Sequence, residues 1–187
     1  MLGKSVIRSQ RHRYAPSLTG LAVALTLLLS GPALAEVAGT PRIIDGNTLE
    51  VTGQRVTLFG IDAPDFEQVC QHGGRDYQCG KVARAALWDL VAGLDVSCTP
   101  EAEAPAPDGS IAATCTAGGS SLNEKMVYAG WALADRDATD RYVAIEADAK
   151  KARRGLWRGE FQPPWRWRER HATGDPEQDG GNGSNAR

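Results

Sequence analysis

Asp45-Gly46-Asn47-Thr48 and Gly60-Ile61-Asp62-Ala63-Pro64-Asp65 are two turn-forming segments a dozen or so residues apart, and the runs around them read as strands. Arg42-Ile43-Ile44 leads into the first turn, Thr48-Leu49-Glu50-Val51 leaves it, and Arg55-Val56-Thr57-Leu58-Phe59 climbs to the second. Asp and Asn bond their own backbone and Pro presets φ, so both segments favour tight turns whatever the function. Plain turn chemistry is therefore one reading. The other is a site, because the turns carry three acidic side chains and an amide close together in the chain.

Downstream, Asp95 to Thr99 and Ile111 to Thr116 are further strand-like runs. Between them and the second turn, Gly80 to Ala92 places Ala83, Ala86, Leu87, Leu90 and Val91 at helical spacing, with Gly93 to end the helix. Pro100 to Gly109 is a loop by composition. Ser121-Leu122-Asn123-Glu124 has the form of a capping box opening a helix that turns Leu122, Met126 and Val127 inward and stops at Gly130. A longer helix follows, with Tyr142, Ile145, Ala149 and Ala152 on one stripe, closed by Gly155 and plugged by Leu156-Trp157. Met126, Tyr142 and Trp157 read as core. Pro163-Pro164-Trp165-Arg166-Trp167-Arg168 alternates Trp with Arg, which suits base stacking; the competing reading is a proline-braced strap whose arginines stay in water.

Residues 1–35 have the layout of a secretory signal peptide. Lys4, Arg8, Arg11 and Arg13 precede the apolar run Leu18 to Leu29, and Ala33-Leu34-Ala35 offers a cleavage site. The run is short for a membrane span. The expected organisation is 1–35 signal peptide, 36–171 folded domain and 172–187 disordered polar tail, the last on the strength of its Gly, Asp, Asn and Ser content. A secreted or periplasmic location follows. Removing the leader takes four of the 21 Lys and Arg and none of the 23 Asp and Glu, leaving a formal charge of −6. That balance does not favour a polyanion ligand, but the cations are concentrated late in the chain. Lys150, Lys151, Arg153, Arg154, Arg166 and Arg168 are candidates for anion binding, against the alternative of a solvated helix face.

Four cysteines in a chain sent to an oxidising compartment imply two disulfides, with three pairings open. The strand reading favours Cys98 with Cys115 across a hairpin, leaving Cys70 with Cys79. Metal ligation is the rival use, and the spacings lack the close Cys-x-x-Cys pairs of zinc sites.

The two turns, the helix of Gly80 to Ala92, Gly130-Trp131-Ala132 and the Ala-rich helix from Glu146 that ends in Gly155-Leu156-Trp157 together resemble the staphylococcal nuclease (thermonuclease) family. The resemblance implies an α+β fold, a five-stranded barrel of the oligonucleotide-binding (OB-fold) type with about three packed helices. It also implies a site: turn carboxylates holding calcium, a Glu after the Pro positioning the attacking water, and two arginines clamping the phosphate. Position by position this chain departs from that pattern. Asp62 matches a metal ligand and Ala63 retains its backbone carbonyl, but Asn47 stands where the family has a carboxylate, which removes a charge on which calcium affinity depends. Asp65 replaces the Glu and is one methylene shorter. Thr57 occupies the first arginine position, with Arg55 on the same strand face roughly 6.6 Å away. The second arginine position aligns near Ser110, and no arginine occurs between Arg84 and Arg136. Loss of a preorganised donor costs about 10²- to 10³-fold in rate.

The expected protein is thus a secreted, monomeric thermonuclease-like domain with a degenerate site, a pseudoenzyme that binds nucleic acid or an envelope protein. Calcium, held weakly, is the one cofactor expected. The alternative is a metal-dependent endonuclease or phosphodiesterase with a rearranged site in which Asp65 and Arg55 are catalytic and Asn47, Asp62 and Ala63 hold the metal.

Overall fold

A computed structural model of the chain describes residues 36–101 and 110–172. The expected signal peptide, most of the loop before Ser110 and the tail from residue 173 lie outside the described residues.

Five strands come first: β1 (Val37–Gly39), β2 (Pro41–Ile43), β3 (Thr48–Val51), β4 (Gln54–Leu58) and the two-residue β5 (Ile61–Asp62). Period-two alternation sets their faces. Leu49, Val51, Val56 and Leu58 are fully buried, while Arg55 and Thr57 turn the other way. Thr52 and Gly53 join β3 to β4 with φ of 51° and 82°, the double positive φ of a two-residue turn whose twist matches a hairpin. A small hairpin of β6 (Cys70–His72) and β7 (Arg75–Tyr77) leads into α1 (Cys79–Val91). Next come β8 (Val96–Pro100), β9 (Ile111–Ala117), β10 (Ser120–Ser121), α2 (Leu122–Tyr128), β11 (Leu133–Ala134), α3 (Val143–Lys151), a 3₁₀ turn (Gly155–Arg158) and α4 (Pro164–Ala172).

The main sheet runs β1-β8-β9-β4-β3-β2 with β10 added to β9, and only β4–β9 among these pairs is parallel. It curls into a half-barrel, and with the helices it is an α+β fold of the OB-fold type. Its concave side buries Ile43, Leu49, Val56 and Leu58 under Ala83, Leu87 and Val91 of α1 and Leu122, Met126 and Val127 of α2. Ser121 caps α2: its hydroxyl accepts from the Glu124 backbone N–H at 3.2 Å, one of the two bonds of a capping box. Asn123, fully buried, accepts from Cys115 N–H and donates to the carbonyls of Phe59 and Ala113, so α2 is tied to both strands at the parallel seam. Ala152 departs from the expected stripe; it is the exposed C-cap of α3, and Glu146 takes a buried place there instead.

Cys98 and Cys115 face each other across β8 and β9 and are disulfide-bonded. Cys70 and Cys79 form the second bridge, joining β6 to the start of α1. Among the described residues no helix is long and apolar enough to cross a membrane.

The C-terminal part, read as a proline-braced strap, is a helix in which Arg166, Arg168 and Arg170 stay exposed. Pro164 occupies the first turn of α4, where a missing N–H costs nothing, and the Trp-Arg alternation continues as helix to Ala172. This fourth helix extends the expected three, and its last residue overlaps the expected start of the tail.

Candidate functional site

Two glycines press the turns together. A Cβ on Gly46 would lie 2.7 Å from the Ala63 Cβ and 2.8 Å from that of Ala83, and one on Gly80 would lie 1.8 Å from the Asp65 carbonyl oxygen. Only residues without a side chain let the first turn and the start of α1 close on the second turn. Asn47 bridges the same gap: its Nδ2 donates to the Ile61 carbonyl at 3.3 Å, and its own carbonyl accepts from Leu58 N–H at 2.8 Å.

The turns line one wall of a cleft of about 360 Å³. Asp45, Asn47, Asp62, Ala63 and Asp65 are brought together there with Arg55 and Thr57 from β4, Phe59, and Asp135, which follows β11. Asp45 accepts Asn47 N–H at 2.9 Å as an Asx turn. Burial raises its pKa above the usual carboxylate value, against the hydrogen bonds from Asn47 and Thr48 and the charge of Arg55.

The decisive side chain comes from α4. Arg168 Nη2 donates to Asp62 Oδ2 at 2.6 Å, and Nη1 donates to Asp62 Oδ1 at 3.2 Å and to Asp65 Oδ2 at 2.9 Å. This is a guanidinium fork on one carboxylate with a third bond to the next, the geometry for which Arg is suited and Lys is not. Asp62 is only 14% exposed in its side chain, Asp65 33% and Arg168 46%. Burial still dominates at Asp62 and raises its pKa, although the Arg168 bond and charge pull it down; the charges of Asp65 and Asp135 push it further up. Arg168 is held above its ordinary pKa, since the bonds and charges of Asp62 and Asp65 outweigh the burial that opposes them.

At the positions where the family pattern has arginines, two hydroxyls meet each other. Thr57 Oγ1 and Ser110 Oγ lie 2.5 Å apart, which sets the two positions side by side across the β4–β9 seam. Arg55 lines the cleft on the same strand face. Arg141 stacks over Phe59 at 5.6 Å, yet it is bonded to Glu101 and Thr114 at 2.9 and 3.2 Å.

The resemblance implies calcium on Asn47, Asp62 and the Ala63 carbonyl, and the donors present do not fit it. Both oxygens of Asp62 and one of Asp65 accept from a cation of the chain itself, and Asn47 offers a neutral amide where the family has a carboxylate. Among the described residues, no three His, Cys, Asp or Glu side chains are grouped so as to hold a metal ion.

The basic candidates are not one patch. Lys150 and Lys151 end α3, with Lys150 over the Trp157 ring at 5.3 Å. Arg153 follows, and Arg154 stacks on exposed Tyr128 at 4.0 Å. Arg166 pairs with Glu169 within α4. Arg168 leaves the group altogether, a correction forced by the helical turn that points it at the acidic corner. Sequence reading also missed Asp135 and Phe59. For Arg168 one signal was available: Pro164 at the head of a proline-free run that includes the helix formers Arg166, Arg168, Glu169, Arg170 and Ala172.

The described geometry can be set beside known proteins. A model of the staphylococcal nuclease homologue family matches residues 55–159. The chain belongs to the staphylococcal nuclease family. It is also 34% identical, over 166 residues, to the succinoglycan biosynthesis protein ExoI of Rhizobium meliloti (strain 1021), covering 84% of this chain and 85% of that one. In this nuclease-family domain the family match includes the second turn, Thr57 and Ser110. Asp45 to Thr48 and all of α4 lie outside the matched residues, so Arg168 reaches the corner from beyond them.

Proposed function

We propose that this nuclease-family domain is a binding module with little or no phosphodiester hydrolysis, exported to an oxidising compartment. The observation that carries the reading is the Arg168 fork on Asp62 and Asp65. A site that hydrolyses a phosphodiester must offer charge neutralisation to the developing phosphorane oxygens and a fixed nucleophile. Here the carboxylates are neutralised by the protein, and the arginine positions are a Thr57–Ser110 hydroxyl pair. Four carboxylates, Asp45, Asp62, Asp65 and Asp135, share the cleft with Arg55 and Arg168, a balance that repels a polyanion. The ligand surface favoured instead is the end of α3 and the segment after it, where Lys150 lies over Trp157 and Arg154 over Tyr128, with Lys151 and Arg153 between them in the chain. Aromatic faces beside cations suit a flexible anionic polymer. Single-stranded nucleic acid is the first candidate. Because the relative's name attaches it to succinoglycan biosynthesis, that polymer is the second.

The competing reading, a phosphodiesterase that uses Asp65 and Arg55, is favoured by one observation: both line the same cleft. Incubating the purified protein with single-stranded DNA and RNA, with calcium or chelator, separates them. No cleavage above background is expected. Chelator-sensitive cleavage that disappears in Asp62→Ala would overturn the binding-only reading. Fluorescence anisotropy should show salt-dependent binding of oligonucleotide or polysaccharide, weakened about tenfold or more by charge reversal at Lys150 and Arg153, since each lost contact releases fewer counterions.

A further inference from the structure

We propose that Arg168 is the resident cation of the acidic corner, and that α4 is a plug whose docking and divalent-cation binding at Asp62 and Asp65 exclude each other. The reading rests on the view above that the corner is closed to metal as folded, and it adds what closes it. Three features of the chain support it.

The first is occupancy of the donors. Calcium takes 6–8 oxygens at roughly 2.3–2.6 Å, and three of the four carboxylate oxygens of Asp62 and Asp65 accept from one guanidinium. An ion at these oxygens competes with the Arg168 guanidinium for them. The second is the way α4 is held. Of its residues only Pro164 is buried, so the helix adds little to the core, and its tie to the corner is a polar contact made by a side chain nearly half exposed. Such a contact is strong enough to set a position and weak enough to be displaced. The preceding segment is anchored separately: Gln68 Nε2 donates to the Gln162 carbonyl at 2.7 Å, and Gln71 and Glu160 exchange backbone bonds. Release of α4 therefore requires no loss of that anchor. The third is the shape of the space. A second pocket of about 430 Å³ lies beyond the corner, and it shares Asp62, Asp135 and Arg168 with the cleft. Arg168 is the partition between them. With it withdrawn, Asp62 and Asp65 lose the one cation that α4 gives them, and Asp62 and Asp135 line both spaces.

Calorimetric titration of calcium into the purified protein and into Arg168→Ala tests the exclusion without any nucleic acid. The variant should bind at least tenfold more tightly, and Asp62→Asn in the same background should abolish the gain. Arg166→Ala, whose partner Glu169 is on the same helix, should bind as the parent does. Arg168→Gln, which keeps the stem, serves if alanine impairs folding. In the parent, hydrogen exchange across 164–172 should accelerate as calcium saturates. Equal affinity in the parent and both Arg168 variants would overturn the proposal, as would calcium binding to the parent with α4 exchange unchanged. Cleavage of nucleic acid in the assay described above would count against the function alone, so the two readings fail separately.

Discussion

The acidic corner and the helix that covers it are built in opposite ways. Asp45, Asn47, Asp62 and Asp65 sit on turns whose geometry is dictated by neighbouring residues: an Asx bond within Asp45 to Asn47, and a close approach that only Gly46 and Gly80 permit. Arg168 arrives from 106 residues beyond Asp62, on a helix with little apolar surface to bury. The corner is thus a rigid feature of the fold, whereas its plug is an addition held by charge. Carboxylates fixed by packing can keep their place while the cation that serves them changes.

Perturbing each side should show this asymmetry. The largest effect belongs to the rigid side: Gly80→Ala puts a methyl group inside contact distance of the Asp65 carbonyl, and urea denaturation should show a loss of about 3 kcal/mol or failure to fold. Recovery of parent stability in that variant would mean that the corner is not tightly packed. Asn123→Ala comes next. It strips partners from Cys115 N–H and from the Phe59 and Ala113 carbonyls, and it should cost about 2–3 kcal/mol, the penalty for buried polar groups left unpaired. A loss near zero would show that water replaces the amide, and that the seam behind the cleft is open.

The smallest effect is a pH trend that sharpens the account of the charged contact. Burial is the largest influence on Asp62 and leaves its pKa raised despite Arg168. The folded state then takes up this proton more readily than the unfolded chain, so the group's contribution to stability grows as pH falls through the raised folded value. Comparing denaturation of the parent and Asp62→Asn from neutral to mildly acidic pH isolates that contribution. The parent should gain relative to the variant on acidification. The opposite sign would mean that the Arg168 bond outweighs burial, and that α4 is held more firmly than its exposure implies. Glu101 gives the contrast: its bonds to Arg141 and Thr114 lower its pKa, so what it contributes is lost as pH falls.

The strands, α1, α2 with its Ser121 cap, and the two turns were legible because alternation, helical spacing and turn residues act over a few neighbours. Asn47, Thr57 and the absence of arginine near Ser110 were legible too, since side-chain chemistry at a known position needs no coordinates. The hydroxyl pair was not. Thr57 and Ser110 meet only because β4 and β9 run parallel in one register. Glu146 is buried on α3 because its carboxylate finds the Ala134 N–H and Arg136, a pairing no periodicity reports, and Ala152 is exposed because the helix has already ended there.

By itself, the sequence determined the family, the turn corner and the departures from the family pattern at Asn47, Thr57 and Asp65, all properties of residue identity and short-range geometry. Tertiary structure alone decided what stands in the corner. A guanidinium on a helix can reach many places within its arm's length, and only the packed path of the chain from Leu156 through Pro164 aims Arg168 at Asp62 and Asp65.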